Sequence, residues 1–253
     1  IKISFKLNNL PHQLIKESLT YAGFIILQGF SGLLVTKIDT YMISKYIGLA
    51  QTGIYSIAMY ISLAIEMPKR SLNLISLPVI GTAMKNKKLD QVNELYKKSS
   101  IIQLISGSLL LAGIWLNIDA VFSLIPNTET FIQGKYVVLF IGLAVLFNMV
   151  NGVNNEILLM SKYYKYNLLV IVPLVVLTVL NNLWLIPIYG ITGAALATAF
   201  SIFIYNLLKT ILVYYLLKIQ PFSKHTFIAT SIILLVYTIG TYLPNTSIIL
   251  FNI

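Results

Sequence analysis

Long apolar blocks separated by short polar clusters set the pattern of this chain. Blocks at about 19–47, 52–84, 100–116, 135–160, 168–188, 191–217 and 227–243 each approach or exceed the roughly 20 apolar residues that a helix needs to cross hydrocarbon. A further block opens at Ser247. The pattern predicts an all-α polytopic membrane protein of about seven complete transmembrane helices plus the start of an eighth, folded as one transmembrane domain over 1–253. Residues 1–17 mix Lys2, Lys6 and Lys16 with apolar residues, as an amphipathic lead-in at the cytoplasmic interface does. The block at 52–84 would make a helix of about 50 Å, longer than the roughly 30 Å core, so a bend is expected near Pro68 or Pro78.

Polar clusters divide the blocks in distinct ways. The stretch 85–98 is basic, with Leu89, Val92 and Tyr96 at helical spacing, and predicts a short surface helix. The stretch 117–134 predicts a long loop on the opposite side, and Pro187-Ile188-Tyr189-Gly190 predicts a tight turn. Most basic residues, Lys209 among them, fall on the side of the N-terminus if the spans alternate. The positive-inside rule then makes that side cytoplasmic. In the sixth block Gly193, Ala197 and Ser201, and likewise Gly190, Ala194 and Thr198, recur every four residues and allow close helix packing. Asn148, Asn151 and Asn155 make a polar stripe in the fourth block, facing either another helix or a wet cavity.

Composition narrows the classes. The 253 residues are 57% hydrophobic and only 10% charged, with a mean hydropathy of +0.83. There is no cysteine, and the two histidines, His12 and His225, lie outside the apolar blocks. Disulfides, thiolate metal sites and cysteine nucleophiles are excluded. The net charge of +10 is spread between apolar blocks, which is a topogenic pattern and not a nucleic-acid face. The chain starts at Ile1 and stops within an apolar run, so it reads as part of something longer.

Charge inside apolar blocks is costly and marks candidate chemistry. The stretch 35–70 carries Lys37, Asp39, Glu66, Lys69 and Arg70. Glu66 and Arg70 stand at i, i+4 in the favourable order. They form either a self-neutralised pair beside Pro68 or, with Lys69, a site with excess positive charge for an anion. Lys37 either snorkels to the interface or meets substrate, and Asp39 is a candidate ion-coupling carboxylate. Glu156 falls near the cytoplasmic end of its block and reads as interfacial. Asn181, Asn182 and Trp184 read as packing or turn residues.

Three stretches in order carry a family resemblance: VTKIDTYMISKYIG followed by TGIYSIAMYIS, the long second block leading to SLPVIGTAMKNKK, and NNLWLIPIYGITGAALATAFS. Together they resemble the Wzx-like polysaccharide flippases of the multidrug/oligosaccharidyl-lipid/polysaccharide exporter superfamily. The spacing is similar to the second lobe of a fourteen-helix member. Thr40 stands where the family often has Arg, and Lys37 is the cation that can serve there. The resemblance implies alternating-access translocation of a polyprenyl-pyrophosphate-linked oligosaccharide across the bacterial cytoplasmic membrane. It implies no cofactor beyond coupling to H⁺ or Na⁺. As partners it implies membrane lipids, an N-terminal lobe outside this chain and polysaccharide assembly proteins, and no nucleic acid.

On that reading Lys37, Lys69, Arg70, Asn151 and Asn155 contact substrate, while Asp39 and Glu66 couple to the ion. Two alternatives stand beside it: a drug or cation antiporter of the same superfamily, and a membrane glycan polymerase or ligase. The protein is expected not to be an enzyme, because the 117–134 loop offers only Asp119 and Glu129 for acid–base chemistry.

Overall fold

The computed structural model describes residues 12–242, and within them the protein is all-helical. The interfacial lead-in lies mostly outside these residues, and the start of the eighth helix at Ser247 lies wholly outside them. The order is α1 (His12–Tyr46), α2 (Leu49–Leu63), a 3₁₀ turn (Ala64–Glu66), α3 (Met67–Lys85), α4 (Leu89–Leu116), α5 (Ile118–Ser123) and α6 (Thr128–Phe131). After a second 3₁₀ turn (Ile132–Gly134) come α7 (Lys135–Val150), α8 (Asn154–Met160), α9 (Tyr166–Leu217) and α10 (Lys224–Tyr242).

Three helices among the described residues are long and apolar enough to cross a membrane: Leu89–Leu116, Thr128–Val150 and Tyr166–Leu217. Their most apolar stretches are only 39%, 39% and 33% buried within the protein. Most of that apolar surface therefore faces outward, where a bilayer would cover it. Seven complete spans do not appear in this count: the block at 52–84 divides into two shorter helices, and the blocks at 168–188 and 191–217 both fall within the single helix Tyr166–Leu217.

The block at 52–84 divides at the 3₁₀ turn of Ala64–Glu66, immediately before Pro68 at the start of α3. Proline fits a first helical turn, where its missing N–H costs nothing. Pro78 lies inside α3 without ending it. The expected surface helix at 85–98 is continuous with the third block, and both form α4.

The fourth block divides at residues 151–153. Asn151 ends α7, and its Nδ2 donates to the Phe147 carbonyl at 2.8 Å. Gly152 has φ +52°, and a Cβ there would lie 2.5 Å from Ser99 Oγ and 2.9 Å from the Ser100 nitrogen. Only glycine allows both that backbone conformation and that approach to α4. Ser99 and Ser100 hold the break: Val153 N donates to Ser99 Oγ at 3.2 Å, and Ser100 Oγ donates to the Val150 carbonyl at 2.6 Å. The asparagine stripe therefore does not lie on one helical face.

Helix α9 carries one non-helical residue, Gly190 (φ 59°, ψ −136°). Residues 182 and 198 would stand about 24 Å apart along an unbroken helix, yet both hydrogen-bond the same carboxylate. The chain therefore reverses at Gly190, where the turn was expected, and α9 is a hairpin of limbs 166–189 and 191–217. The small residues of the second limb permit the close return. A Cβ on Gly193 would lie 2.1 Å from the Leu185 carbonyl oxygen.

Two larger apolar cores result, beside a small cluster around Ile171 and Leu174. One gathers Ile43, Tyr55, Ile65, Phe122, Val138 and Ala194 with their neighbours. The other gathers Ile80, Tyr96, Val153, Ile157, Leu158 and Val213. Between them, α3 presents Lys69, Asn73 and Ser76, α4 presents Ser99, Ser100 and Gln103, and the α7–α8 break presents Asn151. A polar layer thus separates the cores.

Candidate functional site

The 35–70 stretch splits into buried and exposed parts. Asp39, on α1, is 3% exposed. Its Oδ1 accepts from Asn182 Nδ2 at 2.6 Å, and its Oδ2 accepts from Tyr55 Oη at 2.7 Å and Thr198 Oγ1 at 2.5 Å. Tyr55 comes from α2, while Asn182 and Thr198 come from the two limbs of α9. All three donors are neutral, and no described ion pair reaches Asp39. A carboxylate removed from water needs such donors when it has no cation. Asn182 Oδ1, on the amide that serves Asp39, is itself buried without a partner.

This arrangement can do what a passive structural contact cannot. A proton or a small cation at Asp39 would change the charge of a group on which three structural elements converge. Asn182, read from the sequence as a packing or turn residue, is a direct partner of the carboxylate. The approach of Thr198 follows from the small-residue spacing of its limb.

The three cations of the stretch do not converge. Lys37 and Arg70 are exposed, whereas Lys69 is 9% exposed. Lys69 Nζ donates to the Asn148 carbonyl at 3.4 Å, placing a positive charge at the C-terminal end of α7, where the helix dipole favours it. Arg70 pairs with Glu66 at 3.1 Å, with side-chain exposures of 65% and 22%. The expected i, i+4 pair is present, and Lys69 is directed away from it into the protein.

The asparagines have structural partners. Asn151 Oδ1 accepts from Thr210 Oγ1, in addition to the cap its amide makes on α7. Asn155 Oδ1 accepts from Lys209 Nζ at 2.8 Å and from Asn167 Nδ2 at 3.3 Å. Asn151 also borders a cleft of about 130 Å³ with Phe147, Phe203, Asn206, Thr210 and Phe222.

Two charged residues outside the 35–70 stretch are also buried among the helices. Lys209 is 3% exposed, bonded to Asn155 and to Tyr205 Oη at 2.8 Å and lying over the Tyr205 ring. Glu156 is 8% exposed, and its Oε1 accepts from Asn73 Nδ2 at 2.8 Å. The division of the fourth block explains Glu156, since α8 turns it inward against α3. Its sequence signal was Asn151-Gly152, a turn dipeptide inside an apolar run.

In the 117–134 segment Asp119 is paired with Lys135 at 2.7 Å, and Lys135 also lies over the Trp115 ring. Among the described residues no group of three or more His, Asp or Glu side chains is placed to hold a metal ion. Comparison with family models, with characterised proteins and with solved structures returns no match.

Proposed function

We propose that the protein is the second lobe of an ion-coupled flippase that moves a polyprenyl-pyrophosphate-linked oligosaccharide from the cytoplasmic to the outer leaflet by alternating access. The observation that carries the ion-coupled part is Asp39: a buried carboxylate without a cation, held by neutral donors from α2 and both limbs of α9. A buried ionisable group in an apolar helix is a pathway residue by default. Asp39 binds the coupling H⁺ or Na⁺, and its charge state sets how α1 sits against α9.

The substrate class rests on the three sequence stretches that resemble the Wzx-like flippases. The cations Lys37 and Arg70 are consistent with it, because both are exposed, although Arg70 also pairs with Glu66. Lys69 serves by position and not by contact, holding the end of α7. In this reading the chain is the second lobe of a fourteen-helix protein, with about seven complete helices and the start of an eighth, and the start of α1 lies on the cytoplasmic side of the bacterial inner membrane.

The test is transport by the full-length protein in vesicles carrying a fluorescent short-chain polyprenyl-diphosphate oligosaccharide. Movement that follows an imposed H⁺ or Na⁺ gradient, and loses that dependence in Asp39→Asn, is the expected result. Absence of movement under either gradient would refute the reading.

A further inference from the structure

The flippase reading leaves unused a groove of about 290 Å³ where α1 packs along the first limb of α9. Ile38, Tyr41, Met42, Lys45, Tyr46 and Val179 line it. Five of the six lie on one face of α1, because 38, 41, 42, 45 and 46 keep helical spacing. Val179 closes the floor from the α9 side.

The groove is graded along its length. Ile47, just beyond its upper end, has its Cδ1 3.9 Å from where a Cβ on Gly190 would stand. The end of α1 and the reversal of α9 therefore share one end of the protein, and Lys45 and Tyr46 stand there. Ile38 lies about 10 Å from Lys45 along α1, and Val179 about 16 Å from Gly190 along its limb. The apolar part of the groove is thus deeper than its cation. Trp184 and Tyr189 on the limb and Tyr41 and Tyr46 on α1 are all exposed. Aromatic residues so placed mark the level of lipid head groups.

The rim carries charge of one sign. No acidic side chain lines the groove, and no ion pair among the described residues involves Lys45. Lys45 stands in the last turn of α1, where the helix dipole favours a cation, and over the Tyr46 ring at 5.7 Å. Asp39 is enclosed by Tyr55, Asn182 and Thr198 and takes no part in the lining.

We propose that this groove binds a glycerophospholipid with an anionic head group, taken from the leaflet at this end of the protein. Its phosphate meets Lys45 at the rim, and one acyl chain lies against Ile38, Met42 and Val179. A zwitterionic head group would bring an ammonium for which the rim has no acid. The orientation drawn from the basic residues makes this the outer leaflet. Binding requires only that the chain lies in a bilayer, so it stands or falls independently of the transported substrate.

Photo-crosslinking of the full-length protein in nanodiscs tests this. The nanodiscs are phosphatidylcholine with a small fraction of phosphatidylglycerol that carries a diazirine in one acyl chain. Adducts are expected on the peptides containing Ile38–Tyr46 and Val179, reduced by unlabelled phosphatidylglycerol and not by added phosphatidylcholine. Lys45→Gln should weaken labelling about fivefold, the factor equal to the roughly 1 kcal/mol of one lysine near anionic lipid. Lys88→Gln, which removes an exposed cation at the opposite end, should leave labelling unchanged. Val179→Trp fills the floor and should abolish it; Lys45→Gln, at an exposed position, carries the test if that variant does not fold. Absence of adducts on these peptides would overturn the proposal, as would equal labelling by a phosphatidylcholine probe or labelling that Lys45→Gln leaves unchanged. Displacement by a polyprenyl diphosphate and not by phosphatidylglycerol would also overturn it, because the occupant would then be a different lipid.

Discussion

Asp39 accepts a 2.6 Å hydrogen bond from Asn182, a residue 143 positions further along the chain. That contact, with Thr198 on the returning limb, ties the first helix to both sides of a hairpin. It depends on Gly190, because only the reversal there brings residues 182 and 198 to one carboxylate.

Asp39→Ala should leave the hydroxyls of Tyr55 and Thr198 and the amide of Asn182 without their shared acceptor. The expected cost is about 1–3 kcal/mol for each donor that finds no other partner, seen as a lower melting temperature in detergent. Asp39→Asn keeps the shape and should lose less stability while abolishing gradient-dependent transport. Equal stability of Asp39→Ala and wild type would remove the carboxylate from its structural role.

Gly152→Ala should destabilise the protein by at least the roughly 1–3 kcal/mol of a forced backbone conformation, with the contact to Ser99 added. Gly113 has no neighbour within 4 Å of a built Cβ, so Gly113→Ala is the matched control and should be neutral or slightly stabilising. Thermal unfolding of the two variants side by side gives the answer.

Neutralising the exposed cations and the buried ones should have opposite consequences. Lys37→Gln and Arg70→Gln should change stability by no more than about 0.5 kcal/mol, since an exposed pair such as Glu66–Arg70 contributes about 0–1 kcal/mol, and should slow transport. Lys209→Ala should lower the melting temperature, because Asn155 and Tyr205 lose a buried partner. A stable, transport-negative Lys209→Ala would instead make Lys209 a substrate contact.

The absence of cysteine makes sidedness directly measurable. Single substitutions Lys88→Cys and Glu129→Cys place thiols at exposed positions on opposite ends of α4 and the segment that follows it. An impermeant maleimide added to intact cells should label Glu129→Cys and spare Lys88→Cys. The reverse labelling would invert the orientation drawn from the basic residues.

Much of the helical plan was legible because hydrophobic spacing and proline chemistry act locally. The interruption of the second block before Pro68 and the reversal at Gly190 both follow from short stretches read alone. Asn151-Gly152 was hidden because asparagines at i, i+3 and i+7 fit a helix face as well as they fit a helix end. The burial of Lys209 and Glu156 was hidden for a different reason. Position along an apolar block does not report burial, which here depends on Asn155 and Asn73 arriving from other helices. The partners of Asp39 were of the same kind: their residue types were visible, but their convergence was not.

The polar layer has a mechanical consequence. Interdigitated apolar side chains resist sliding, since any shift opens voids or forces overlap. Hydrogen bonds across a layer of serine, asparagine and glutamine can instead be traded for others of similar strength. Contacts across the layer can therefore be exchanged without opening voids, while α4, which runs unbroken from one core to the other, keeps the two cores in register. Hydrogen exchange should register that local exchange first at residues 151–153, where the fourth block breaks within the layer.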